Sequence, residues 1–249
     1  MPLMDDPAHA GLIAFLRTIA ARHPRPDALV VISGHWESSV PALNAGASPA
    51  LLYDYYGFPP ETYHITYPAP GNPALAERIA GLLKTGGFAS ELVTNRGYDH
   101  GVFVPLKLVY PQADVPIVQL SLIKGLDAQQ HIALGRCLTP LREQNIAIVG
   151  SGMSFHNLQA IFAGERPELR AASDAFDAWL RATLTDTALD EAQRSAALAH
   201  WAEAPYARFA HPREEHLLPL HVCYGAAEGP AQLLFNEALM GHKVSGFGW

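Results

Sequence analysis

Apolar residues recur at helical spacing through Leu12, Ile13, Leu16, Ile19 and Ala20, which predicts an amphipathic helix over residues 7–21. "RPD" breaks that pattern, and the run "ALVVIS" then predicts a buried strand over residues 28–33, an α-to-β step. From 38 to 73 the periodicity is lost in a stretch rich in Pro, Gly and Tyr ("LLYDYYGFPPETYHITYPAPGNP"), which reads as a long loop. Loops of that length inside a compact domain usually serve function, and the density of aromatic residues argues against disorder.

Helical spacing returns in "PALAERIAGLLK", followed by a short strand, "SELVT", and by "VFVPLKLVY", a short helix or an extended apolar segment. "VPIVQLSL" and "IAIVGSG" are nearly continuous apolar runs bounded by turns, as in strands of a parallel sheet covered on both faces. Between them "DAQQHIALGRCLTPLREQ" supplies a crossover helix. Residues 170–201 read as largely helical, "EEHLLPLHVCYGAAEG" as a helix delayed or kinked by Pro219, and "QLLFNEAL" and "KVSGFGW" as two closing strands. Without an internal repeat or linker, the pattern predicts one α/β domain over residues 1–249. Its central, mostly parallel sheet is flanked by helices, with the active site at the carboxyl edge of the strands.

Composition narrows the function. The chain has 249 residues, 49% of them hydrophobic, which is ample for a packed core. A net charge of −7 without blocks of like charge argues against a nucleic-acid or anionic-membrane surface, and a small-molecule partner is expected. No stretch approaches the roughly 20 apolar residues of a membrane span. The first residues carry the acids Asp5 and Asp6 where a signal peptide would carry bases, so a cytoplasmic protein is expected. Cys137 and Cys223 match no disulfide framework or zinc spacing and read as core residues. Twelve histidines against 17 lysines and arginines fit metal or proton chemistry.

Four of those histidines occupy informative places. His35 ends the first predicted strand, and His156 follows "IAIVGSGMS", so parallel strands would put both on one sheet edge, where ligands of α/β proteins bind. His100 lies in "GYDHGVF", whose glycines permit close backbone approach, and His216 lies in "HPREEHLLPLH" beside Glu215, a second candidate ligand. His9, His23, His131, His200 and His242 read as structural or solvated. HExxH, CxxC and Walker patterns are missing, and "GSGMS" lacks the G-x-S-x-G order of a serine hydrolase because Gly150 and Gly152 flank Ser151 directly.

Taken together, "VVISGHWESS", "GFPPETYHITYPAPGNPALA", "GYDHGVFVPLKLVYPQADVPIVQLSL", "VGSGMSFHNL" and "HPREEHLLPLHVCYGAA" resemble the class III extradiol ring-cleavage dioxygenases, in the order that family shows. Within it they are similar to the branch of the DOPA extradiol dioxygenases, related to the catalytic subunit of protocatechuate 4,5-dioxygenase. The resemblance implies a non-haem metal at the carboxyl edge of the sheet, Fe(II) for ring cleavage, with Zn(II) bound by some members. It puts His35 and His216 on metal-ligand positions, His156 on a histidine that acts as base or sits beside the metal and so counts as a third candidate ligand, and His100 on a substrate-pocket histidine. The implied activity is extradiol cleavage of a catechol with O₂, with His156 and His100 catalytic; the alternative is a metal- or ligand-binding protein on the same fold without oxygenase turnover. Tyr63, His64 and Tyr67 would line a ring pocket, or simply pack the loop. DOPA, protocatechuate, a gallate and a substituted catechol all suit such a pocket. The resemblance further implies a short strand with a His-Gly-rich end ahead of residues 2–4, carrying another metal ligand; the domain is expected to lack that strand.

Overall fold

Backbone groups taken out of water must find partners, and the apolar runs of this chain find them mainly in one sheet. The computed structural model describes residues 2–4, 7–164 and 166–249; Met1, the acids Asp5 and Asp6, and Glu165 lie outside the described residues. Two 3₁₀ turns lead into α1 (Ala10–Arg22), strand β1 (Ala28–Ser38) and the short β2 (Ala42–Asn44). Then come α2 (Pro73–Thr85), β3 (Glu91–Val93), α3 (His100–Val109), β4 (Ile117–Ile123), α4 (Ala128–Arg136), α5 (Thr139–Arg142) and β5 (Ile146–Ser151). The last third holds α6 (Leu158–Phe162), α7 (Pro167–Thr185), α8 (Glu191–Ala199), α9 (Ala207–Ala210), α10 (Leu218–Ala227) and the strands β6 (Gln232–Leu239) and β7 (His242–Gly248).

The central sheet has the order β3-β2-β4-β1-β5, with β1 parallel to both β4 and β5, β2 parallel to β3, and only the β2–β4 pair antiparallel. Side chains of β1 alternate between two cores, as a strand period of two requires. Val30 and Ile32 pack with residues of α2, α4 and α10, while Leu29 and Val31 pack with α3 and Tyr67 and Tyr98. Strands β6 and β7 form a separate hairpin whose two-residue turn, Met240 and Gly241, has positive φ at both positions, as a type I′ turn demands. No described helix is long and apolar enough to cross a membrane.

Four sequence expectations need correction. The loop over 38–73 contains β2, too short for its pattern to register, and a 3₁₀ turn at Pro60–His64. The crossover helix is two helices, α4 and α5, parted at Cys137 and Leu138, where Pro140 cannot continue the first. β5 is an edge strand and only half-buried, rather than covered on both faces. Its outer side borders a cavity of about 640 Å³ lined by Leu16, Val109, Val149, Leu220 and Phe247 and reaching His216. Finally, β1 runs past Ser33 to Ser38, but its register with β4 slips between Ile32 and Glu37 and its pairing with β5 stops at Ser33–Ser151. A bulge of this kind re-aims side chains at the end of a strand, and His35 sits in it.

Candidate metal and catalytic site

The four histidines singled out in the sequence converge on the carboxyl edge of the sheet. His35 comes from the β1 bulge, His100 is the first residue of α3, His156 follows β5, and His216 precedes α10. The His35 ring lies 3.9 Å from that of His100 and 4.8 Å from that of His216, centroid to centroid, and His216 in turn stacks on His156 at 3.5 Å and 15°. Two glycines allow this crowding. A Cβ on Gly101 would stand 2.3 Å from Ser33 Oγ, and one on Gly152 would stand 2.1 Å from the His216 carbonyl oxygen.

Hydrogen bonds to the far side of each ring decide which nitrogens face the centre. The buried Asp99 carboxylate accepts from Ser33 Oγ at 2.7 Å, from Arg96 at 3.1 Å and from Gln119. Since the Ser33 hydroxyl hydrogen is committed to Asp99, His35 Nδ1–H donates to Ser33 Oγ at 3.3 Å. Arg96, stacked on Trp36 at 4.5 Å, also reaches the His35 carbonyl at 3.4 Å. On the other side His216 Nδ1–H donates to Glu215 Oε1 at 2.9 Å, because a carboxylate can only accept. Both rings therefore turn Nε2 lone pairs toward each other, 3.1 Å apart.

Two facing lone pairs repel unless a cation lies between them. Two nitrogens each about 2.0–2.1 Å from one ion would lie about 3–3.4 Å apart, so the pair fits a shared metal. Burial, helped by the neighbouring His100 and His216, lowers the His35 pKa to about 3, and burial likewise lowers that of His216 against the pull of Glu215. Both are neutral donors near pH 7, the form a metal requires. Two sets of ligand atoms within 4.8 Å of one another surround the pair: His35, Asp54 and His100, and His156, Glu215 and His216.

The rings of His156 and His216 are nearly parallel. His156 Nδ1 lies 3.5 Å from Glu215 Oε1, and its backbone N–H donates to Ala210 O at 3.0 Å. Burial alone would raise the Glu215 pKa, but hydrogen bonds from His156 and His216 outweigh it and hold the carboxyl well below the usual range. His100 is oriented by Asp54, which accepts its backbone N–H at 2.9 Å and its ring Nδ1–H at 2.8 Å.

Asp54 escaped the sequence reading, although it is the one acid in "LLYDYY". So did the network of Ser33, Arg96, Asp99 and Gln119, which carries no local signal. Among the expected pocket aromatics, Tyr67 is a correction: it is buried in the core and donates to Tyr110 O at 3.2 Å. The ring that meets His100 edge-on, at 5.6 Å, is Tyr55, backed by Tyr63 at 5.3 Å. Ser151, the residue weighed as a nucleophile, donates to Gly101 O at 2.5 Å, and among the described residues no histidine bonds it.

Comparison with known proteins places the chain in a family. A family model described as the catalytic LigB subunit of aromatic ring-opening dioxygenase matches residues 3–248. A dioxygenase named tasH from Hapsidospora irregularis is 38% identical over 266 aligned residues, covering 100% of this chain and 82% of that protein. The 4,5-DOPA dioxygenase extradiol of Beta vulgaris is 40% identical over 219 residues, 86% of this chain and 78% of its own. The crystal structure of an uncharacterized Escherichia coli K12 protein superposes with a TM-score of 0.78 at 30% identity, over 94% of this chain and 89% of that one.

Proposed function

The chain belongs to the family of the catalytic LigB subunit of aromatic ring-opening dioxygenases, and from that premise we propose that it cleaves a catechol beside its paired hydroxyls, using O₂, at a metal held by His35 and His216. The observation that carries this reading is the pair of Nε2 atoms 3.1 Å apart, with His100 against one ring and His156 against the other. When bound, the ion supplies Lewis acidity toward the catechol oxygens and the electron path to O₂; Fe(II) suits turnover, and Zn(II) suits the same nitrogens.

The protein's own groups handle protons and orientation. With Nδ1 directed at Glu215, His156 accepts a catechol proton at Nε2, and the carboxylate steadies the resulting imidazolium. His100 offers Nε2 as a second acid–base atom, able to return a proton as the ring opens. The edge of Tyr55 beside His100 supplies a flat wall for an aromatic substrate.

The test is anaerobic loading with Fe(II), then aerobic addition of DOPA, protocatechuate or gallate. O₂ uptake with a ring-opened product is expected, a yellow semialdehyde from DOPA or protocatechuate and a keto acid from gallate. Stoichiometric metal without O₂ uptake for any catechol would leave a metal-binding protein and overturn the proposal.

A further inference from the structure

We propose that Asp54 is the positioning residue for His100, pinning its imidazole in the Nδ1–H form so that Nε2 is the atom presented to the site. A carboxylate has no hydrogen to give, so the 2.8 Å contact between Asp54 Oδ1 and His100 Nδ1 requires the hydrogen on Nδ1. Among the described residues no protein group bonds His100 Nε2, and the ring's neighbour is His35 at 3.9 Å.

The same oxygen does a second task. His100 opens α3, where the first N–H groups of a helix lack partners. Asp99, at the N-cap, makes no side-chain cap because its carboxylate is turned to Ser33, Arg96 and Gln119. Asp54 takes over that role from 46 residues away, accepting the His100 N–H at 2.9 Å. Its loop is tied down on both sides of it. Leu52 N–H donates to Tyr98 O at 2.7 Å, Tyr53 Oη to Ile65 O at 2.6 Å, and Tyr55 Oη to Thr62 O at 2.6 Å. One acceptor thus fixes both where α3 begins and which ring nitrogen of its first residue is free. The loop that supplies Tyr55 also sets the His100 ring.

The consequence for rate rests on the proposed ring-opening reaction; the tautomer does not. Asp54→Asn keeps an oxygen for the helix N–H but removes the charge and the obligation to accept. In metal-free protein, the ¹⁵N resonances of His100, assigned by their loss in His100→Gln, should show Nδ1–H in the wild type and a mixture with Nε2–H in Asp54→Asn. Zn(II) should still bind with wild-type stoichiometry. With Fe(II) and a catechol, kcat should fall about 10- to 100-fold with KM little changed, and Asp54→Glu, which can reach the ring again, should recover part of it. Asp54→Glu also serves the tautomer measurement if the Asn variant does not fold. An Nε2–H tautomer in the wild type, or an unchanged tautomer in Asp54→Asn, would overturn the proposal. Loss of Zn(II) from that variant would also overturn it, by making Asp54 a ligand. Absence of all catechol turnover would defeat the proposed function while leaving the tautomer result to decide this one.

Discussion

Replacing Gly152 by alanine probes how closely the end of β5 carries the segment that presents His216. The new Cβ would lie 2.1 Å from the His216 carbonyl oxygen, 3.0 Å from its carbon and 3.4 Å from its Cα. Those atoms are backbone, so no rotamer change relieves the clash. Because comfortable heavy-atom contacts begin near about 3.5 Å, the two segments must part by about 1.4 Å. That movement strains the Met153 N–H bond to His216 O, now 3.0 Å. It also carries the paired Nε2 atoms from 3.1 Å toward about 4 Å, beyond the about 3–3.4 Å that two nitrogens sharing one ion can span. Overpacking of this kind costs about 1–3 kcal/mol of stability. Zn(II) affinity, measured by competition with a chromophoric chelator, should fall at least about tenfold. Gly81→Ala is the control: its Cβ meets nothing within 4 Å on α2, so metal affinity should hold and stability rise by about 0.5–1 kcal/mol. Wild-type Zn(II) affinity in folded Gly152→Ala would refute the reasoning.

His35→Ala and His216→Ala should each abolish stoichiometric Zn(II) binding in folded protein, and metal retained by either would remove that residue from the ligand set. His156→Ala should keep its metal and lose about 10²- to 10⁴-fold in kcat; full activity would exclude it as the base, and metal loss would make it a ligand. Acid should destabilise the fold through two buried histidines outside the metal pair. Burial lowers the pKa of His211 to about 3 and that of His221 to about 4, so the fold keeps both neutral while the unfolded chain takes up protons. Their contribution is complete above about pH 6.5 and is lost as pH falls toward those values, at about 1.4 kcal/mol per pH unit for each. Urea midpoints between pH 7 and pH 5 should show that slope, reduced in His221→Gln; a flat profile would contradict it.

What could be read from the sequence follows from where its information lies. The continuous apolar run from Leu29 to Ile32 marks β1 because the strand faces a core on each side, and "QLLFNEAL" and "KVSGFGW" mark the two closing strands through local pattern. The strand ends also led to His35 and His156, and the resemblance of the motif blocks led to the family. β2 was hidden because three residues carry no period. The edge position of β5 was hidden because pairing order is a property of the assembled sheet. Asp54 meets His100 across 46 residues, and the Ser33–Asp99–Gln119 network joins three elements. Each is an ordinary polar residue in its own neighbourhood and acquires a role only when the carboxyl edge is built.

The central claim, that this site opens a catechol ring with O₂, is tested most directly by product mass under ¹⁸O₂. Fe(II)-loaded protein, supplied with the catechols of the panel in turn, should yield from at least one of them a ring-opened product that contains both atoms of one O₂ molecule, and the signal should disappear in His35→Ala. A substrate mass that is unchanged, raised by water, or raised by only one labelled oxygen would contradict the account.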